Sequence, residues 1–256
     1  MEKQSIRVLK ELLAAGELDD QKVCELKSDT RKGVQQLVKA YEREKQTELQ
    51  LENKFHEMGL YERKARAAGK RYIAGIDEAG RGPLAGPLVA AAVILPENFK
   101  LLGLNDSKQL TESSRTVFCE MIKEQAVSYG ISIISNEEID KINVHEAAKQ
   151  AMVEAVSQLE PAPDHLLIDA MELEGYLYSS ESLVKGDSKS ISIAAASVLA
   201  KVTRDEKMRE LHKQYPMYDF ASNMGYGTKH HMKALQEHGS TPFHRRSFAP
   251  VKDLNG

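Results

Sequence analysis

The segment Ile73-Ala-Gly-Ile-Asp77-Glu78-Ala-Gly80-Arg81-Gly82-Pro83 changes abruptly from apolar to acidic to glycine-rich. Its apolar part predicts a buried strand over residues 72–77 that ends in two adjacent carboxylates. Such carboxylates are costly unless a cation pairs with them, and Mg²⁺ or Mn²⁺ takes oxygen ligands of this kind. The glycines that follow allow the backbone to approach another molecule closely. The segment therefore indicates a metal site next to a contact loop; the alternative is a solvated acidic turn.

The chain has 256 residues, of which 41% are hydrophobic, and this is enough for one sizeable core and an appendage. The net charge of -3 says little about partners, but its distribution is uneven. Residues 71–200 contain 10 Lys and Arg against 19 Asp and Glu, whereas residues 201–256 contain 10 against 6. An acidic centre beside a basic tail suits a cation site flanked by a polyanion-binding surface. The alternative is a charge gradient without a function.

The two cysteines, Cys24 and Cys119, lack metal-ligand spacing, which argues against a disulfide framework and for a reducing compartment. The N-terminus lacks the apolar core of a signal peptide. No apolar run approaches the ~20 residues of a membrane span. We therefore expect a cytoplasmic protein with no membrane association.

Residues 1–70 contain no proline and differ in pattern from the rest of the chain. Apolar residues recur there at helical spacing, so we predict a helical N-terminal extension that ends in a hinge at residues 67–70. Two roles are open. The extension is either an amphipathic cap on the main domain or an arm that grips a substrate. The basic residues available to such an arm are Lys22, Lys27, Arg31, Lys32 and Lys39.

Residues 71–256 form the second predicted domain, in which strand-like and helical patterns are mixed. The expected strands cover residues 72–77, 88–95, 127–134, 165–170 and 183–186. The expected helices cover residues 111–125, 137–142, 144–159, 192–215 and 229–237. Small residues line the start of the helix at residue 192, which predicts close packing against a sheet: Ala194, Ala195, Ser197 and Ala200.

Three of the expected strands end beside an acid, namely Asp77 with Glu78, Asp169, and Asp187. Neighbouring strand ends can converge, and two divalent ions ~3.5–4 Å apart between carboxylates clamp the attacking and leaving oxygens of a phosphoryl displacement. Adjacent side chains of a strand point to opposite faces, which is a difficulty for Asp77 and Glu78. Either the strand has ended or twisted at this point, or Glu78 contributes its main-chain carbonyl.

Several motifs, taken together and in order, resemble those of bacterial ribonuclease HII. They are Asp77-Glu-Ala-Gly-Arg-Gly-Pro83, Asp106-Ser-Lys108, Leu167-Ile-Asp169-Ala170, Asp187-Ser-Lys189, Ala195-Ala-Ser-Val-Leu-Ala-Lys-Val-Thr-Arg-Asp205 and Gly225-Tyr226-Gly-Thr228. The resemblance implies an α/β, RNase H-like fold: a mixed sheet flanked by helices, with a helical C-terminal part. It also implies a metal-dependent endoribonuclease that cuts RNA in RNA–DNA hybrids. On duplex DNA with a single embedded ribonucleotide, such an enzyme incises on the 5′ side and leaves 3′-hydroxyl and 5′-phosphate ends.

The resemblance further implies which residues form the site. The four acids that would be catalytic and hold Mg²⁺ or Mn²⁺ are Asp77, Glu78, Asp169 and Asp187. The residues that would bind the substrate are Gly80, Arg81, Gly82, Ser107, Lys108 and Tyr226. The glycine-rich segment would touch the ribose 2′-hydroxyl, which distinguishes RNA from DNA at one nucleotide. The tyrosine would stack on the adjoining sugar, and the serine and lysine would hold a phosphate. Without the resemblance, the tyrosine is typical of a core residue and the serine and lysine of a polar loop.

Other charged residues keep open interpretations. Lys201, Arg204 and Asp205 on the long helix are either solvated or ion-paired. The tail segment His244-Arg245-Arg246 either directs charge to a nucleic-acid backbone or forms a buried ion pair that fastens the tail to the sheet. His230 and His231 have no zinc-ligand spacing, and we expect both at the surface.

Two other function classes compete with the nuclease. Gly80-x-Gly82-x-x-x-Gly86 loosely resembles a dinucleotide-binding motif, but the third glycine is misplaced and prolines stand where the required helix would run. A non-catalytic nucleic-acid-binding module would use the basic tail and the N-terminal extension. For the nuclease we expect a monomer whose partners are RNA–DNA hybrids and ribonucleotide-containing duplex DNA.

Overall fold

A computed structural model of the chain describes residues 4–18, 20–173 and 178–254. The chain divides into two compact units, Met1–Lys54 and Phe55–Gly256. Among the described helices, none has the length and apolar character needed to cross a membrane.

The first unit is helical, as expected. Its helices are α1 (Ile6–Ala14), α2 (Asp20–Lys27) and the greater part of α3 (Lys32–Met58). Serine side chains are favourable helix caps, and Ser5 caps α1 by accepting a hydrogen bond from the Val8 N–H. The unit buries a small apolar cluster of its own: Leu9, Leu13, Val23, Val34 and Val38.

The second unit is a mixed α/β structure. Its strands are β1 (Ile73–Ala79), β2 (Leu88–Ile94), β3 (Ser128–Ile134), β4 (His165–Asp169) and β5 (Ser179–Leu183). Its helices are α4 (Leu60–Ala67), α5 (Glu112–Gln125), α6 (Asn136–Ile142), α7 (Val144–Ser157), α8 (Ile191–Gln214), α9 (Phe220–Asn223), α10 (Lys229–His238) and α11 (Val251–Leu254). The prediction of a mixed sheet flanked by helices is thus confirmed.

The sheet has the order β3-β2-β1-β4-β5. β1 and β2 are antiparallel, as are β2 and β3, whereas β4 lies parallel to both β1 and β5. β1 is therefore the central strand, and it shares its direction with the strands on one side only. The carboxyl ends of β1, β4 and β5 consequently lie at the same edge of the sheet.

Helices cover both faces of the sheet closely. α7 packs on one face and α8 on the other. A side chain at Gly75 of β1 would collide with the backbone of Ser192 in α8, and one at Gly130 of β3 would collide with the backbone of Ala155 in α7. The predicted small residues at the start of α8 are all buried, which confirms their expected role in close packing.

Two strand boundaries differ from the expectation. β1 continues through Asp77 and Glu78 to Ala79, because these residues pair with β2 down to the pair Ala79 and Val89. The strand expected at residues 183–186 is instead β5, which ends at Leu183. β5 is a polar edge strand in which the first four residues are exposed, so it lacks the apolar signal on which strand prediction depends.

The dinucleotide-binding alternative is wrong. Residues 80–87 connect β1 to β2 without a helix. A phosphate-binding glycine motif requires a helix immediately after the glycines.

The segment 55–70 belongs to the unit that contains the sheet. The Glu62 carboxylate in α4 is buried and accepts hydrogen bonds from the Ser190 hydroxyl at 2.6 Å and from the Ser192 N–H at 2.9 Å. Met58 is buried in the cluster beneath α8. The compact unit therefore begins well before residue 71.

The C-terminal part has a separate apolar cluster around Tyr218, Phe220 and Leu235. Contrary to the expectation for residue 231, His231 is fully buried in this region, while His230 is exposed. The His231 Nδ1–H donates to the Tyr226 carbonyl at 2.9 Å. Since its Nε2 is then an acceptor, the His244 Nε2–H donates to it at 2.9 Å.

The other ring nitrogen of His244 also has a hydrogen-bond partner. The His244 Nδ1 accepts from the Thr241 N–H at 2.9 Å. Both nitrogens of each ring are thus hydrogen-bonded with the two imidazoles in neutral tautomers. Burial lowers the pKa of His231, and burial followed by the charge of His231 lowers the pKa of His244 to about 4. The rings of Tyr218 and Phe220 pack against the two imidazole rings in T-shaped or tilted arrangements.

We predict that these histidines destabilise the fold in acid. Between pH 6.5 and about 4 the unfolded chain binds a proton on His244 that the folded protein excludes. The free energy of unfolding should therefore fall across this window by about 3 kcal/mol on account of His244 alone. Urea unfolding at pH 7.5 and pH 4.5 measures this change.

The variant His244→Gln should show a smaller loss of stability across the same pH window, whatever its stability at pH 7.5. The matched control His230→Gln removes an exposed imidazole and should behave as the wild type. An unchanged pH dependence in His244→Gln would contradict the assignment of a buried neutral imidazole.

Candidate active site

The parallel register places two carboxylates next to each other. Ile76 of β1 pairs with Ile168 of β4, so the following residues, Asp77 and Asp169, lie side by side on the two strands. Asp169 pairs in turn with Leu183 at the end of β5, and Asp187 follows within the next turn. Oxygens of Asp77, Asp169 and Asp187 lie within 4.8 Å of one another. The predicted convergence of these three acids is therefore present in the structure.

Backbone hydrogen bonds fix the orientation of these carboxylates. The Asp77 Oδ1 accepts from the Glu78 N–H at 2.7 Å, and the Asp169 Oδ1 accepts from the Gly186 N–H at 2.6 Å. The second bond joins the end of β4 to the 3-10 turn Gly186–Ser188 that carries Asp187. Lys185, just before this turn, adopts a positive φ of 57° and reverses the chain.

Burial and mutual repulsion raise the pKa values of the clustered carboxyls. Burial raises the pKa of Asp77 well above its usual value, and the charges of Glu78 and Asp169 raise it further. Burial also raises the pKa of Asp187 to about 6, with additional contributions from Asp106 and Asp169. Desolvated carboxylates that raise one another's pKa values are stabilised by protons or by a cation.

Glu78 is not part of the three-acid cluster but borders the same space. Burial raises its pKa, while the Arg81 guanidinium, 3.5 Å away, opposes this shift. Its Oε2 is buried and has no hydrogen-bond partner. Buried carboxylate oxygens are rarely left without a partner, so this atom indicates a missing cationic or donor group.

These residues fit a hard divalent ion. Three aspartate oxygens already lie at mutual distances that one ion can bridge. Burial and the nearby charge of Asp169 raise the pKa of Glu78, whose Oε2 lacks a partner. All four ligand atoms are carboxylate oxygens, the type that Mg²⁺ and Mn²⁺ prefer.

A pocket beside the acids contains every predicted substrate-binding residue. It is lined by Asp77, Glu78, Ala79, Gly80, Arg81, Gly82, Ser107, Lys108, Ser197, Lys201, Arg204 and Tyr226. Segments from β1, the connection after β2, α8 and the turn before α10 thus meet at one place.

The glycine-rich segment and the tyrosine lie next to each other in the lining of this pocket. Arg81 and Gly82 are exposed, and Tyr226 is 47% exposed. A Cβ atom at Gly82 would lie 3.5 Å from the Tyr226 Cε1. The tyrosine is therefore not the core residue that composition alone suggests.

Ser107 and Lys108 also line the pocket, and they differ in exposure. The Ser107 hydroxyl is buried and hydrogen-bonded to the Ser197 hydroxyl at 2.9 Å, whereas Lys108 is exposed. Although burial acts in the opposite direction, the charges of Asp106 and Asp77 raise the pKa of Lys108. Lys108 is therefore an exposed cation beside the acids.

Sequence reasoning missed three residues of α8 that line the pocket: Ser197, Lys201 and Arg204. They recur at i, i+4 and i+7, so one face of a helix presents all of them. Lys201 forms an ion pair of 2.6 Å with buried Asp205, and Arg204 is 1% exposed. The signal in the sequence that could have identified these three residues is their helical spacing, taken together with the neighbouring small residues of α8.

His244 and Arg245 of the tail segment are buried, but among the described residues Arg245 does not form the ion pair that was one of the two alternatives. Arg245 is fully buried and donates to the main-chain carbonyls of Gly80, Arg81, Gly86 and Pro87. Arg246 is exposed. The partners of the Arg245 guanidinium are thus main-chain carbonyl groups instead of the expected carboxylate.

Comparisons with known proteins agree with this geometry. The family model described as Ribonuclease HII matches residues 74–251, and the model described as Ribonuclease HII N-terminal domain matches residues 5–66.

Relatives match over nearly the whole length. The chain is 55% identical to ribonuclease HII of Oceanobacillus iheyensis over 251 residues, which cover 98% of this chain and 96% of that protein. It is 55% identical to ribonuclease HII of Listeria monocytogenes over 225 residues, 88% of this chain and 86% of that one. The crystal structure of ribonuclease H2 from Pyrococcus horikoshii matches with a TM-score of 0.63 at 27% identity, over 72% of this chain and 97% of that chain. The protein therefore belongs to the ribonuclease HII family, and it is an endonuclease of the ribonuclease H type with the RNase H-like fold.

Proposed function

We propose that this ribonuclease H cuts the RNA strand of RNA–DNA hybrids and also incises duplex DNA on the 5′ side of a single embedded ribonucleotide. The observation that carries the proposal is the position of the acidic cluster directly beside the exposed backbone of Arg81 and Gly82 and the exposed ring of Tyr226. An acidic cluster alone suits any phosphodiester hydrolysis, whereas an adjacent backbone loop can sense a ribose.

The four acids would form the catalytic centre. Asp77, Asp169 and Asp187 would hold Mg²⁺ or Mn²⁺, and the orphaned Glu78 oxygen would complete the ligand set. When bound, the ion supplies Lewis-acid polarisation of the phosphate and a water of lowered pKa. Asp77 and Asp169 are held rigid by the backbone bonds described above, so they need no rearrangement to serve as ligands.

The reaction would break the bond between phosphorus and the O3′ of the preceding nucleotide. A water oxygen becomes bonded to phosphorus, and the departing O3′ receives a proton to become a 3′-hydroxyl. The phosphate remains on the O5′ of the ribonucleotide. Lys108, an exposed cation on the pocket wall, would bind a substrate phosphate, while Ser107 is held in place by Ser197.

Selection of the ribonucleotide would lie with the loop at residues 80–82 and with Tyr226. The main chain at Gly82 has no side chain between it and the pocket, so an incoming ribose can approach its N–H closely. The Tyr226 ring, next to Gly82, offers a flat surface for an adjoining sugar. All of these groups come from one chain, which supports action as a monomer.

For the two units, we propose a nucleic-acid-binding arm and a catalytic unit. The first 54 residues have a core of their own, which supports a separate module rather than a cap. Of its basic residues, Lys27 and Arg31 are paired with Glu42 and Asp29, whereas Lys32 and Lys39 are exposed. The exposed lysines would contact the phosphate backbone of a duplex.

The first prediction concerns Asp77→Asn. The wild type should nick a duplex containing one ribonucleotide in Mg²⁺ or Mn²⁺, and the variant should nick it roughly a hundredfold or more slowly, because a ligand charge is lost. Affinity for the duplex should remain. Gel analysis of the labelled strand and fluorescence anisotropy measure the two quantities.

If the wild type leaves this duplex intact with both metals, the proposed activity is wrong. Full nicking by Asp77→Asn would show that catalysis does not depend on this carboxylate.

The second prediction concerns Tyr226→Ala. Loss of the aromatic surface should reduce kcat/KM for the one-ribonucleotide duplex by about tenfold, on the scale of one lost stacking contact. Metal binding, measured by the shift in Tm on addition of Mn²⁺, should not change. Tyr226→Phe should restore most of the activity.

The control Tyr129→Ala removes another exposed tyrosine from β3, outside the pocket, and should nick as the wild type does. Equal nicking by Tyr226→Ala and the wild type would remove Tyr226 from the site.

The third prediction concerns truncation. Deletion of residues 1–54 should weaken duplex affinity through the loss of basic residues, with little change in kcat. Deletion of residues 1–70 should in addition lower Tm, because Met58 and the buried Glu62 are lost from the catalytic unit. Anisotropy and thermal melting measure both effects.

Glu62→Ala in the full chain tests the same contact without truncation and should lower Tm while preserving duplex affinity. Unchanged affinity after deletion of residues 1–54 would refute the arm.

A further inference from the structure

Two arginines, Arg204 and Arg245, are among the largest fully buried side chains of the protein. Burying a guanidinium without a partner is costly. Within the described part of the chain, however, neither forms an ion pair with a carboxylate; both donate to main-chain carbonyls. The carbonyls that receive these bonds belong almost entirely to the connection between β1 and β2, which borders the active-site pocket.

Arg245 holds both ends of this connection. Its Nη1 donates to the Arg81 carbonyl at 2.9 Å and its Nη2 to the Gly80 carbonyl at 2.6 Å. Its Nε donates to the Gly86 carbonyl at 3.1 Å. Because the guanidinium is planar and rigid, these bonds fix the carbonyls in direction as well as in position.

The direction of a carbonyl determines the direction of the next N–H. A trans peptide unit is planar, with its C=O and N–H pointing to opposite sides. The Gly80 and Arg81 carbonyls point inward to Arg245, so the N–H groups of Arg81 and Gly82 point outward, at the surface of the pocket. In the described part of the chain, no acceptor is bonded to either N–H.

The charge on Arg245 also affects these donors. Hydrogen bonds that share a peptide unit polarise one another, so a carbonyl bound to a cation makes the N–H of the same unit a stronger donor. A carboxylate partner would have neutralised the guanidinium. Carbonyl partners leave its charge to act on the peptide units.

Arg204 braces the same connection from α8. Its Nε donates to the Pro87 carbonyl at 3.0 Å and its Nη2 to the Ala85 carbonyl at 3.2 Å. Its Nη1 donates to the Met224 carbonyl at 3.0 Å, which ties in the turn that carries Tyr226. A side chain at Gly80, whose φ is 102°, would collide with Arg204.

We propose that Arg245 is a positioning residue for ribose selection: it aims the Arg81 and Gly82 N–H groups into the pocket as a fixed pair of donors for the substrate's 2′-hydroxyl. This inference rests on the proposed function of the same loop. Arg245 touches no substrate in this role. Its effect should therefore appear in discrimination between ribose and deoxyribose rather than in general affinity for nucleic acid.

The test compares Arg245→Lys and Arg245→Met in an Asp77→Asn background, in which the duplex is not cut. Kd is measured by anisotropy for two duplexes that differ only in one 2′-hydroxyl. Both Arg245 variants should reduce the preference for the ribonucleotide-containing duplex by roughly tenfold, the scale of two lost or misdirected hydrogen bonds. The Kd for the all-DNA duplex should change only slightly, and by a similar factor in both Arg245 variants.

Two controls separate positioning from other effects. Arg246→Met removes the same charge from the exposed neighbour and should change both Kd values by the same factor. Ile139→Ala creates a cavity in the core on the α7 side of the sheet and should lower Tm without changing the ratio of the Kd values. Arg245→Lys, which keeps the charge but loses the planar fork, remains informative if Arg245→Met does not fold.

The outcomes are distinguishable. A parent protein that prefers the ribonucleotide duplex, with the preference retained in Arg245→Lys and Arg245→Met, overturns the role of Arg245 and leaves the proposed function standing. Equal weakening of both Kd values also overturns it, since that indicates general damage. A parent with no preference for the ribonucleotide overturns the proposed function, and this inference with it.

Discussion

The parallel pairing of β1 with β4, and of β4 with β5, is the constraint on which the site depends. Parallel strands end at the same edge of a sheet, so the register that pairs Ile76 with Ile168 also brings Asp77 and Asp169 together. A slip of one residue would turn one of these side chains to the opposite face. The fold thus holds these carboxylates in place through backbone pairing, and burial together with their mutual repulsion raises their pKa values.

α8 is the element that connects this sheet edge to the surrounding pocket. Its small residues lie against the bare backbone at Gly75, so the helix axis comes close enough for Ser197 to reach Ser107. One helical face then supplies Lys201 and Arg204 to the same pocket. Close packing and site construction are therefore served by a single surface of one helix.

The connection at residues 80–87 is fixed by buried cations in addition to the apolar packing of Leu84 and Ala85. Arg204 and Arg245 donate hydrogen bonds to main-chain carbonyls within residues 80–87. His231, which is hydrogen-bonded to His244, donates to the Tyr226 carbonyl. Because the Gly80 and Arg81 carbonyls are bonded to Arg245, the N–H groups of Arg81 and Gly82 point outward. A surface of this kind suits the recognition of hydroxyl and phosphate oxygens, which accept hydrogen bonds.

The sequence by itself determined the mixed α/β class, most element positions and the acids Asp77, Asp169 and Asp187, because apolar runs that end in carboxylates are local signals. The resemblance to ribonuclease HII added Ser107, Lys108 and Tyr226, which by themselves are typical of a polar loop and a core residue. Only the tertiary structure showed that β5 ends at Leu183, that His231 is buried and that Arg245 binds carbonyls. Burial and hydrogen-bond partners arise from contacts between distant segments, and no periodicity along the chain encodes which side chain meets which carbonyl.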